Sequence, residues 1–84
     1  GMNPQETEEL NRRLTDLAAR LKDRPEVTVE YFVPDERKSG GAYVTVTGRV
    51  RHISVAEKTL VMEDGVVIPL DDIFAFLIDQ DSNK

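Results

Sequence analysis

VTVEYFVPDERKSGGAYVTVTGRVRHI, residues 27–53, decides the fold of this chain. Val27, Val29, Tyr31 and Val33 share one parity, and Thr28, Glu30 and Phe32 share the other. β-Branched and aromatic residues in strict alternation read as a half-buried strand over 27–33, closed by Pro34. The polar run PDERKSGG, 34–41, reads as a loop or hairpin connection. A second, longer strand is expected over 42–53, with Val44, Val46 and Val50 on one face and Gly48 between them. A glycine inside a strand marks a bulge, a bend or a close approach of another backbone. Ile53 is apolar on the opposite parity, which is consistent with a coil or a bulge near the strand's end.

On the C-terminal side, SVAEK turns the chain and a third strand follows at 59–63. Asp64-Gly65 is the signal for a two-residue type I′ hairpin turn, with positive φ at both central positions. VVIPL makes a fourth strand over 66–70. Pro69 has no N–H to give to a ladder, so its side of that strand is expected at an edge or a bulge. Asp71-Asp72 begins a short turn, a fifth strand covers 73–78, and 79–84 is a tail.

On the N-terminal side a helix is expected over 4–23. Asn3 suits the N-cap, Pro4 the first helical position, and Glu6 the returning carboxylate of a capping box. Leu10, Leu14, Leu17, Ala18 and Leu21 fall on one helix face. Glu8–Arg12, Glu9–Arg13 and Asp16–Arg20 are spaced for i,i+4 ion pairs. Pro25 forces Arg24 out of the helical region and ends the element. The expected fold is therefore α+β, one N-terminal helix packed on a five-stranded, strongly bent antiparallel sheet or SH3- or Sm-like barrel. Self-association through a sheet edge or the helix is the expected assembly.

With 84 residues the chain makes one domain. A chain this short buries only about 60–65% of its unfolded surface, so the core is thin. It has no cysteine and one histidine, which removes disulfides, thiolate sites and an imidazole-based metal cluster as staples. No run approaches the roughly 20 apolar residues of a membrane span. The acidic, polar start MNPQETEEL differs from an export signal, and a cytoplasmic location is expected.

The net charge of −5 disfavours a general nucleic-acid binder. The charge is unevenly placed: residues 1–36 carry −4, residues 37–58 carry +4 and residues 59–84 carry −5. The basic middle holds Arg37, Lys38, Arg49, Arg51 and Lys58, which are the candidate contacts to an acidic partner or to nucleic acid. Arg49 and Arg51 flank Val50 on a shared face, a pair suited to phosphate or carboxylate. The competing assignment is an ordinary solvated strand face.

Catalytic chemistry finds little support. Ser39, Ser54 and Ser82 have no nucleophile-elbow context, and His52 is expected at a strand end. Asp71 and Asp72 are neighbours in sequence and point apart, so capping of the adjacent turn is their expected role rather than metal or acid–base work. No enzyme activity and no cofactor are expected.

The succession LNRRL, VTVEYF, TGRVRHI, KTLVMEDG and IPLDDI, spread over residues 10–78, resembles the YolD-like family of small bacterial proteins. The residues that carry the likeness are Asn11 and Leu14 on the helix and Val27, Val29 and Tyr31 on the first strand. Gly48, Val50 and Ile53 follow on the second, then Asp64-Gly65 and Ile68, and finally Asp71, Asp72 and Ile73. The resemblance implies an Sm-like barrel and an accessory role beside a UmuC-type translesion DNA polymerase, comparable to that of UmuD, in the response to DNA damage. It supplies no catalytic residue. The Asp-x-Asn signature with which Sm proteins pocket uridine is absent here, so the likeness implies no RNA pocket.

Overall fold

The computed structural model describes residues 3–79. Helix α1 (Pro4–Ala19) is followed by β1 (Glu26–Pro34), β2 (Gly41–Ser54), β3 (Thr59–Met62), β4 (Val67–Pro69) and β5 (Ile73–Ile78). All pairings are antiparallel and the spatial order is β4-β3-β2-β1-β5. This is the expected α+β arrangement of one helix on a five-stranded antiparallel sheet, with β4 and β5 at the two ends of the ladder.

Helix α1 starts where its cap chemistry places it. Asn3 accepts from the Glu6 N–H at 2.8 Å, and Glu6 accepts from the Asn3 N–H at 3.1 Å, which completes the capping box. The α-helical part ends earlier than expected, at Ala19, and Leu21–Asp23 form a 3₁₀ turn. Arg24 then takes left-handed angles (φ 51°, ψ 53°) ahead of Pro25. Leu10, Leu14 and Leu17 are buried and Leu21 packs beside them, whereas Ala18 is exposed at the border of the stripe.

The helix ion pairs differ from the expected set. Arg12 bonds Glu9 one turn back and lies 3.6 Å from Asp16. The bond to Glu9 holds the Arg12 guanidinium above its ordinary range. Arg13 leaves Glu9 and turns toward β5, because a carbonyl oxygen and an aromatic ring there offer it more than a solvated carboxylate does.

The core joins the leucine face of α1 to Val27 and Val29 of β1, Val50 of β2, Leu60 and Met62 of β3, Ile68 of β4, and Ile73 and Phe76 of β5. The long strand β2 makes this possible by serving both halves of the sheet. It pairs with β1 from Gly41 to Arg49 and with β3 from Val50 to Ser54. The β2–β3 register slips between Val50 and His52, so Arg51 is an extra residue. The bulge returns Ile53 to the core side despite its parity, as the sequence suggested. Gly48 is not the bulge; it sits three residues before Arg51, at the handover from β1 to β3.

The hairpin turns are tighter in chemistry than in length. Gly65 has φ +97°, but Asp64 does not share the positive φ that a type I′ turn requires. Gly65 N–H donates to the Met62 carbonyl at 3.0 Å, and Met62 N–H to the Val66 carbonyl at 2.9 Å. The connection is a type I turn closed by a left-handed glycine, the alternative that Asp-Gly also permits. At the other hairpin, Gly41 passes so close to β1 that an added Cβ would lie 2.3 Å from the Val33 carbonyl oxygen. β1 outruns β5, which reaches only to Tyr31, so the far end of the β1–β2 hairpin extends a body measuring 45 × 29 × 26 Å.

Candidate interaction surface

The five basic candidates occupy different parts of the molecule. Arg37 and Lys38 sit at the tip of the β1–β2 hairpin, where both backbone N–H groups donate to Asp35 Oδ1, at 2.8 and 3.3 Å. Arg49 lies at the opposite end of the same ladder, paired with Glu26. Eight residues of extended chain separate Gly41 from Arg49, roughly 27 Å. Arg51 is the bulge residue of β2 and is exposed. Lys58 holds left-handed angles (φ 56°) in the β2–β3 turn, where Ser54 Oγ accepts from the Glu57 N–H at 3.0 Å.

Arg49 also has a structural occupation. Its guanidinium donates to the carbonyl oxygen of Arg24, the left-handed residue that links the helical part to β1. Arg24 in turn makes a forked pair with Glu63, with Nη2 at 2.9 Å from both carboxylate oxygens. The basic strand segment thus ties the chain's first crossing to the β3–β4 turn. These residues do not assemble into one cationic face.

His52 is exposed on β2, opposite Val61. Ser39 lies in the hairpin loop, Ser54 caps a turn, and Ser82 lies outside the described residues. Among the described residues no group of three or more His, Cys, Asp or Glu side chains is placed to hold a metal ion.

Asp71 and Asp72 depart from their expected role. They belong to a 3₁₀ turn, Leu70–Asp72, that has Pro69 at its N-cap and no side-chain cap bond. Among the described residues neither carboxylate takes part in an ion pair. Beside them lies a chain of three aromatic rings. Tyr43 stands 5.5 Å from Phe32 and 5.3 Å from Phe74 between ring centres, both contacts edge to face. Phe32 and Tyr43 are ladder partners on β1 and β2. Phe74 joins them because the β1–β5 register slips between Glu30 and Tyr31, which leaves Phe74 as the extra residue of β5. Tyr43 and Phe74 remain 59% and 52% exposed, a high value for rings with no role in the core.

No family model, curated protein or solved structure matches the chain. Its functional surface is therefore read from its own side chains. The aromatic chain escaped the sequence reading because it draws on three strands and one bulge. Alternation along β1 does place Phe32 opposite the core, and that parity was the one available signal. No described helix is long and apolar enough to cross a membrane.

Proposed function

We propose that this domain is a non-enzymatic interaction module, an accessory subunit whose partner is a UmuC-type translesion DNA polymerase in the cytoplasm. The observation that carries the proposal is the aromatic surface of exposed Tyr43 and Phe74 beside half-buried Phe32, on a domain whose helix stripe is already buried in its own core. A rigid small scaffold with exposed aromatic anchors is suited to docking. The YolD-like resemblance supplies the polymerase as the partner, and the strand order of a helix-first bent sheet is compatible with it.

Self-association is the second part of this proposal, with a sheet edge as the contact. β4 offers that edge only over Val67–Pro69, and Pro69 brings no donor. The alternative of a nucleic-acid-binding regulator has the dispersal of Arg37, Lys38, Arg49, Arg51 and Lys58 against it. The decisive experiment mixes the full chain with the UmuC-type polymerase of its own organism and measures mass by light scattering after size exclusion. A stoichiometric complex supports the accessory role. Separate elution at micromolar concentrations overturns it, and a salt-sensitive electrophoretic shift with DNA or RNA would put the regulator in its place.

A further inference from the structure

The cleft between the aromatic chain and the N-terminal end of α1 has a chemistry of its own. It encloses about 400 Å³ and is lined by Phe32, Tyr43 and Phe74 together with Glu6, Asp71 and Asp72. From the aromatic rings and these carboxylates we infer that the cleft receives an arginine side chain from a basic, extended segment of a partner protein. The inference rests on the interaction-module proposal above and specifies its ligand.

Charge decides between occupants. A purely apolar group would cover Asp71 and Asp72 and leave two carboxylates desolvated without partners, which is costly. An anionic group would meet three carboxylates on a chain of net charge −5. A cation is attracted by the carboxylates and by the faces of exposed rings alike. Among cations, the guanidinium group stacks flat on aromatic rings and gives forked hydrogen bonds to carboxylates, both of which this cleft offers. Glu6 is already engaged by the Asn3 N–H through one oxygen. Among the described residues, Asp71 and Asp72 have neither a cap bond nor an ion pair to give up.

The test follows backbone amide resonances of the full chain during titration with a short capped arginine–serine peptide, and with the same peptide carrying neutral citrulline for arginine. The expected result is a set of shifts centred on Phe32, Tyr43, Asp71, Asp72 and Phe74, much weaker for the citrulline peptide and reduced by salt. Tyr43→Ala, and Asp71→Asn combined with Asp72→Asn, should each lower the affinity roughly two- to fivefold. Tyr43 is exposed and the Asn pair is close in shape, so both variants keep the fold. Equal binding of the two peptides, shifts centred on Glu8, Glu9 and Asp16 of α1, or unchanged affinity in both variants overturns the inference. So does a single-stranded oligonucleotide that moves the aromatic amides while the peptide is silent, because the rings would then be base-stacking platforms. Peptide binding without a polymerase complex keeps the cleft and removes the accessory role. A polymerase complex indifferent to both variants keeps the role and removes the cleft.

Discussion

Arg13 of α1 donates from Nη2 to the carbonyl oxygen of Phe76 at 2.8 Å, and its guanidinium carbon lies 4.5 Å from the centre of the same residue's ring. One side chain thereby fastens the helix to β5 and occupies an acceptor on that strand's outer edge. An unprotected edge invites another strand. Arg13→Ala should cost about 1–2 kcal/mol of stability and raise the solution mass with concentration. Denaturant unfolding and sedimentation measure the two effects. An Arg13→Ala protein of unchanged stability and mass would show that the contact does neither job.

Leu17 is completely buried where α1 meets the sheet. With so thin a core, Leu17→Ala should lose about 2–4 kcal/mol, a large share of what a domain of this size possesses. The exposed neighbour Ala18 is the control: Ala18→Ser should change the urea midpoint little.

Two glycines of β2 should respond unequally to alanine. At Gly41 the new methyl meets the backbone of Val33 and Pro34, at 2.3 and 2.9 Å, and rigid chain cannot give way. A loss of about 1–3 kcal/mol is expected there. At Gly48 the one neighbour among the described residues is the end of the Met62 side chain, at 3.4 Å, which can swing aside. Gly48→Ala should be near neutral, as thermal melts of the pair will show.

The Arg24–Glu63 fork is well formed but lies at the surface, with Arg24 63% exposed. A double-mutant cycle with alanine should return a coupling near 0.5 kcal/mol that shrinks in high salt. Arg49→Ala should cost more than Arg51→Ala, because only Arg49 holds the Arg24 carbonyl. Equal melting temperatures for Arg49→Ala and Arg51→Ala would refute that order.

Local chemistry was the readable part of the sequence. Asn3, Pro4 and Glu6 announced the helix start, β5 runs from Ile73 to Ile78 as expected, and Ile53 out of phase disclosed a bulge. The misreadings share a cause, which is that one local motif suits two geometries. Asp64-Gly65 serves a type I′ turn or a type I turn closed by glycine, and the backbone here takes the latter. Arg13 had a partner at i−4, but tertiary packing supplied a better one. Asp71 and Asp72 looked like caps, yet the turn begins at Leu70 and presents them to the aromatic cleft instead. That cleft depends on the slip at Glu30–Tyr31, which no single strand encodes.

β5 pairs with β1 across the width of the chain, Val27 with Ile78 and Val29 with Phe76. During synthesis, then, β1 and β2 can zip together soon after they emerge, but Leu17 and Val29 wait for Phe76 to arrive before they are sealed from water. Translation proceeds at about 5–20 residues per second, so the nascent hairpin spends seconds with one flank bare. That interval is when a chaperone, or a neighbouring nascent copy, has its best opportunity to bind.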